Sequence, residues 1–295
     1  MTVLVTGAQG FLAAWVCAEL LRAGYAVTAQ VRAVGLMPVA GEVMAVDLLS
    51  ADWPTLLRRN APQIIVHCAA NSGFGECEQN APLAWAVNFE VSRQLATYAE
   101  QHACYFVQVS TDLVFDGNPP APTTGFSEIV RPSPRSVYAR SKFAAEEACR
   151  RNSQALILRC SLMYGTALGQ RPGPSRWLEQ SLKQGQQVSL FEDEWRTPVF
   201  VRDVARVIAW ALNERPTGIL NVAGPERFSR VELGLAYARA LAIPEERARA
   251  LIIRSQRASA AGPARPADVS LDTSLLRGLC PDSPRTFAHA LRELS

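Results

Sequence analysis

The chain opens on an apolar strand that runs straight into a glycine-bearing turn. Thr2-Val3-Leu4-Val5 is followed by Thr6-Gly7-Ala8-Gln9-Gly10-Phe11-Leu12-Ala13. Glycine at Gly7 and Gly10 permits positive φ and lets the backbone approach a ligand closely. The helix that begins beyond the turn offers free N–H groups and a partial positive charge, which suit a pyrophosphate. Strand, glycine turn and helix in this order form the first half of a βαβ unit, the context in which such a turn binds a dinucleotide.

The rest of the first half continues the alternation. Apolar runs at residues 26–31, 43–46, 64–67, 105–109 and 156–159 read as strands, and 12–23, 81–101 and 137–151 as amphipathic helices. Runs such as Ile64-Ile65-Val66 lack polar alternation, as strands covered on both faces do. The expected fold is α/β: a doubly wound parallel sheet of about seven strands with right-handed crossovers, the Rossmann arrangement. Residues 202–213 and 230–241 read as helices, the second capped by Ser229, and 218–222 as one more strand. Stretches 116–136, 166–175 and 258–266 are rich in turn-forming residues and read as loops. The expected division is a dinucleotide-binding domain at 1–165, rejoined by 197–222, and a smaller substrate lobe from 166–196 and 223–295.

With 295 residues, 48% of them hydrophobic and 19% charged, the chain has the make-up of a compact protein with a sizeable core. A net charge of +3 with scattered basic residues argues against nucleic acid. No apolar run reaches membrane-spanning length. The seven cysteines form no C-x-x-C pair, and three histidines give no zinc-like cluster, so no metal is expected. Reduced core cysteines and a strand at the start, with no room for a signal peptide, make a cytoplasmic location the expectation. The expected partner is a small-molecule substrate, with a homodimer left open.

Tyr138 and Lys142 stand four residues apart, which puts a phenol and an ammonium on one helix face. An adjacent ammonium lowers a phenol's pKa, and a tyrosine so tuned exchanges a proton with a carbinol or ketone oxygen. Strand five runs into Ser110-Thr111-Asp112, and doubly wound sheets place ligands at such C-terminal strand ends. The second strand ends in Gln30-Val31-Arg32 with no acid to hold ribose hydroxyls, whereas Arg32 suits a 2′-phosphate. NADP(H) is therefore the preferred cofactor and NAD(H) the alternative; a solvated surface arginine is the other reading of Arg32.

Taken together, the turn and the Tyr138/Lys142 pair resemble the extended short-chain dehydrogenase/reductase family, whose T-G-x-x-G-x-x-G fingerprint has Ala13 in third place here. The resemblance implies cofactor contacts from Gly7, Gly10, Phe11, Leu12 and Val109. It implies that Asp47 and Leu48 meet the adenine and that Cys68, Ala69 and Ala70 let the cofactor lie against a strand end. Asn88 would support the catalytic lysine through a water. Thr111 would bind the substrate oxygen beside Asp112, and Tyr138 and Lys142 would complete the catalytic set.

Ser110–Gly117, with residues 158–165, 196–199 and 265–272, is similar to the dTDP-4-dehydrorhamnose reductase branch, which implies ketone reduction on a nucleotide-linked sugar. Related 4,6-dehydratases carry Thr-Asp-Glu; Leu113 stands at the Glu position and has no proton to exchange, which argues against elimination. Epimerisation of another intermediate, and a cofactor-binding regulatory subunit like that of methionine adenosyltransferase, stay open. Leu162 replaces the branch's tryptophan in the sugar pocket. Arg171, Arg176, Arg202 and Arg265 are candidates for a substrate pyrophosphate, and Trp177, Phe191 and Trp195 for pocket walls or core.

Overall fold

The computed structural model describes residues 1–33, 41–169, 171–259 and 265–294. Six strands come from the first half: β1 (Thr2–Thr6), β2 (Ala26–Val31), β3 (Glu42–Ala45), β4 (Ile64–His67), β5 (Tyr105–Thr111) and β6 (Ala155–Cys160). With Gly218–Val222 they form a seven-stranded sheet in the order Gly218–Val222, β6, β5, β4, β1, β2, β3. Every pairing in it is parallel. The chain builds outward from β1 to β3, then returns to place β4 on the other side of β1. That reversal makes a crevice at the C-terminal ends of β1 and β4, where open α/β sheets bind ligands.

The two-residue period of the strands sorts their side chains onto two cores. Val3, Val5, Ile64, Val66, Tyr105 and Val107 face a layer containing Leu12, Val16 and Leu20 of helix Phe11–Arg22 and Val204, Ile208 and Leu212 of helix Val201–Glu214. Leu4, Ile65, Phe106 and Ile157 face the other way, onto Leu57, Leu95, Ala99 and Cys149. All seven residues of β5 are buried, as a central strand covered on both faces requires.

The expected helix over 81–101 contains a π-helical segment, Ala86–Glu90, between α-helical Ala81–Trp85 and Val91–Gln101. Helices Trp53–Asn60, Arg176–Lys183 and Glu245–Leu251 were not evident from apolar periodicity. Ser229 does cap helix Arg230–Ala240, in a reciprocal capping box with Glu232. The second half adds a smaller core in which Leu178, Leu190, Tyr237, Ile252 and Phe287 meet. Its two-stranded sheet pairs Val188–Phe191 with Ile252–Ser255 in parallel.

The stretch 116–136 carries no helix or strand, yet it is docked. Phe126 stacks on Phe115 at 4.4 Å between ring centroids, and its N–H donates to Ser270 O at 2.8 Å. Of the loop expected at 258–266, residues 260–264 lie outside the described residues.

Candidate active site

At the mouth of the crevice Gly7 has φ 68°, and a Cβ there would stand 2.9 Å from Ala69 Cα. The turn thus needs glycine on one side and a small residue on the other. Gly7 N–H donates to the buried Gln30 Oε1 at 2.8 Å, and Gln30 Nε2 donates to Val46 O at 2.8 Å, so one amide ties the ends of β1, β2 and β3. Helix Phe11–Arg22 starts with no side-chain cap and no acid in its first turn, which leaves its N–H groups and positive end to the crevice. Ala13 is buried in the sheet-facing core, where its methyl is accommodated.

Thr6 and His67 brace the same turn. Ala69 N–H donates to Thr6 Oγ1 at 3.2 Å, and Thr6 Oγ1 shares a hydrogen bond with His67 Nδ1, 2.7 Å away. His67 Nε2 is buried without a partner among the described residues. Burial, with the Lys142 charge nearby, pushes this imidazole down to about 3 and keeps it neutral.

A cleft of about 570 Å³ runs from this turn past the ends of β5 and β6. Its walls carry Gly7, Gly10, Phe11, Leu12, Arg32, Cys68, Ala69, Ala70 and Val109 at one end. Thr111, Asp112, Tyr138, Lys142, Leu162 and Arg265 line the remainder. Asp47 and Leu48 are not among the lining residues: Asp47 Oδ1 accepts from Leu49 N at 2.8 Å and Leu48 packs into the core beside β1. Arg32 is exposed and has no hydrogen bond or ion pair among the described residues.

Ser136 caps helix Val137–Cys149, accepting from Ala139 N at 3.1 Å, and Glu78 Oε1 accepts from Val137 N at 2.7 Å. The helix presents Tyr138 and Lys142 one turn apart, and Tyr138 lines the cleft together with Thr111. Burial raises the Tyr138 pKa above the ordinary phenol value, and the nearby Thr111 hydroxyl only partly opposes this. That departs from the expected lowering by Lys142. The lysine is buried too, which lowers it to about 8, and the groups acting on its charge are Cys149, Glu146, Cys68 and Cys160. Desolvation is the largest cause for both groups, and neither group is a main cause of the other's shift.

Asn88 does not reach Lys142 directly. Its Oδ1 accepts from Asn71 N at 2.8 Å, and its Nδ2 donates to Asn71 O and Ser141 Oγ, each at 3.0 Å. It therefore clamps the segment after β4 to the helix that carries Tyr138 and Lys142. One turn beyond the lysine, buried Glu146 pairs with Arg159 at 2.8 Å and accepts from Ser110 Oγ at 2.5 Å.

At the far end, the Asp112 carboxylate is already engaged. It pairs with Arg196 at 2.9 Å and accepts from Ser161 Oγ at 3.0 Å. Of the four arginines expected at a pyrophosphate, Arg171 and Arg265 line the cleft. Arg202 is tied to Glu19 and Glu293, and Arg176 is exposed away from the cleft wall. Arg196 and Arg230, which sequence reasoning did not single out, line it as well. Phe191 lies under Arg265 and Trp195 under Arg227, while Trp177 is exposed.

A groove with a glycine cradle, an open helix end and an Arg32 unpaired among the described residues fits a phosphorylated dinucleotide. All seven cysteines are free, and no group of three metal-ligating side chains occurs among the described residues. No helix there is long and apolar enough to cross a membrane.

A family model described as the RmlD substrate binding domain matches residues 1–295. The chain is 32% identical over 240 residues to the probable low-salt glycan biosynthesis reductase Agl14 of Haloferax volcanii, covering 79% of this chain and 78% of that one. It is 28% identical over 301 residues to methionine adenosyltransferase 2 subunit beta of Mus musculus, covering 99% of this chain and 86% of the relative. Among solved structures, a hypothetical dTDP-4-dehydrorhamnose reductase from Sulfolobus tokodaii is 27% identical with a TM-score of 0.83, covering 98% of this chain and 99% of that one. The Bacillus anthracis dTDP-4-dehydrorhamnose reductase, solved in complex with NADP, has a TM-score of 0.84 at 21% identity, covering 99% and 97%.

Proposed function

The chain belongs to the RmlD substrate binding domain family, and on that premise we propose that it is an NADPH-preferring reductase acting on the carbonyl of a nucleotide-linked keto sugar. The observation that carries this is the convergence of Tyr138, Thr111 and, one turn away, Lys142 in the same cleft as the glycine turn. The reductase name of the Haloferax volcanii relative supports the reaction class. Arg32, exposed at the cleft wall and unpaired among the described residues, supports the 2′-phosphorylated cofactor. In this reading the sheet and residues 197–222 hold the cofactor, and the remainder of the second half holds the substrate.

The dinucleotide, when bound, supplies the reducing equivalents. Tyr138 gives its proton to the oxygen of the reacting carbonyl as negative charge develops there. Its raised pKa keeps that proton in place until the charge appears. Thr111, whose hydroxyl otherwise donates to Asp112, turns that proton to the same oxygen as a second hydrogen bond. Lys142 places a positive charge beneath Tyr138 and holds the cofactor ribose. Leu113, in the position where elimination needs an acid, keeps the reaction to reduction.

The Tyr138→Phe variant should lose turnover by about 10²–10⁴-fold while binding NADPH as before. NADPH oxidation with a panel of nucleotide 4-keto sugars checks this, and full turnover by the variant would sink the mechanism.

A second reading, a cofactor-binding regulatory subunit, has one observation in its favour: the methionine adenosyltransferase relative spans nearly the whole chain. A regulator would bind NADPH without consuming it on any member of that panel.

A further inference from the structure

Four side chains at the substrate end converge on a point that the proposed chemistry does not use. Glu194 has no exposed surface, yet it is charged. Arg230 approaches its carboxylate at 2.7 Å, Arg265 at 2.6 Å and Arg196 at 3.6 Å. The three arginines come from separate segments: the short strand Trp195–Arg196, the first turn of helix Arg230–Ala240 and the segment before Pro266. Burial alone would raise the Glu194 pKa; the three guanidiniums outweigh it and bring it down to about 2.

The arginines, unlike Glu194, line the cleft. With Asp112 on the other side of Arg196, three guanidiniums face two carboxylates, leaving one uncompensated positive charge. Burial and the neighbouring Arg196 and Arg265 charges lower the Arg230 pKa, the mark of cations held closer than they would settle unaided. Arg196 is 5% exposed, and its Nε has no partner among the described residues.

We propose that Glu194 is a positioning residue that gathers Arg196, Arg230 and Arg265 into one receptor for the anionic part of the substrate. This rests on the reading of the cleft as a nucleotide-sugar reductase site. The receptor touches the chemistry through a single chain of contacts. Arg196 pairs with Asp112 at 2.9 Å, and Asp112 accepts from the Thr111 hydroxyl at 3.2 Å. An anion seated on Arg196 thereby fixes the side chain beneath the catalytic hydroxyl. The charges on the wall select anionic substrates, and their place beside Thr111 aligns what they select.

Glu194→Gln keeps the shape but offers the guanidiniums one acceptor oxygen in place of two, and turns an amide N–H toward cations. The arginines then repel and spread, and the matched geometry is lost. The probes are dTDP and UDP, with thymidine and uridine as uncharged controls, titrated calorimetrically into the wild type and the variant. The expected result is about a tenfold or larger loss of diphosphate affinity, with nucleoside and NADPH affinities unchanged. Equal or tighter diphosphate binding by the variant would overturn the role of Glu194 alone. A wild type that binds the diphosphates no better than the nucleosides would overturn the receptor, and with it the substrate class proposed above. Parallel loss of nucleoside and NADPH binding would show a general disruption of the fold and also overturn the assignment. Should Glu194→Gln fail to accumulate, Arg265→Gln, which removes one half-exposed arm, should show the same diphosphate-selective loss; its absence there would count equally against the receptor.

Discussion

The two ends of the cleft are built by opposite means. The end proposed for the cofactor consists of glycines, small side chains and backbone N–H groups, held by Gln30 across three strand ends. The end proposed for the substrate consists of long charged side chains held by one another, Asp112 and Glu194 against Arg196, Arg230 and Arg265. A site made of backbone depends on volume: it fails when an atom is added. A site made of buried ion pairs depends on charge balance: it fails when a partner is removed. The contrast suits a single cofactor at one end and a substrate choice adjustable by side-chain replacement at the other.

The most severe test of that contrast is Arg196→Met. It strands the Asp112 carboxylate in a buried place with only hydroxyl partners, which should cost about 3–5 kcal/mol in urea denaturation. NADPH affinity of the folded variant should stay close to that of the wild type. A near-neutral stability change would mean that the substrate end is not governed by charge balance.

The complementary change adds one methyl at the other end. Gly7→Ala puts a Cβ on a residue with φ 68° and against Ala69 at 2.9 Å, an expected loss of about 1–3 kcal/mol together with weaker NADPH binding. Unchanged NADPH affinity would show that volume does not control the turn.

Lys142 lies where the two ends meet, and pH probes it. As pH rises through about 8 the lysine loses its charge, so kcat/KM should fall on the alkaline side, and Lys142→Arg should move that limb upward. Stability should run the other way. The folded-state pKa lies below the unfolded value, so between about 8 and 10.5 the unfolded chain binds more protons and stability rises with pH. Activity flat across pH 8 would remove Lys142 from the mechanism.

The mildest change is at the cofactor rim. Arg32→Ala should weaken NADPH by about tenfold, the value of one exposed charge-assisted contact, and leave NADH affinity unchanged. Equal losses for both cofactors would reassign Arg32 to general electrostatics.

Legibility in the sequence followed the same division. β2, β4 and Gly218–Val222 coincide with the runs that predicted them, because their polar residues Thr28, Gln30, His67 and Asn221 are too few to break the apolar signal. The glycine turn and Tyr138/Lys142 were visible because each is a pattern of local spacing. Glu194 was not, since Glu192-Asp193-Glu194-Trp195-Arg196 looks like a solvated charged run. Its burial depends on Arg230 and Arg265, which are distant in the chain. Helix Trp53–Asn60 escaped apolar periodicity because only Trp53 and Leu57 in it are buried; its signals were the Asp52 cap and an early proline.

The π-helical segment Ala86–Glu90 has a consequence for anyone altering this chain's length. A π turn is an α-helix with one residue too many, and that surplus brings Asn88 round to Asn71 and Ser141. Deleting a single residue from the segment would restore a regular α ladder and rotate the helix before it by about 100° relative to the helix after it. No substitution at position 88 would repair that, because the fault would be angular. Here the count of residues is itself structural, and designs that trim the helix to tidy its geometry would unfasten the segment after β4 from the helix that carries Tyr138 and Lys142.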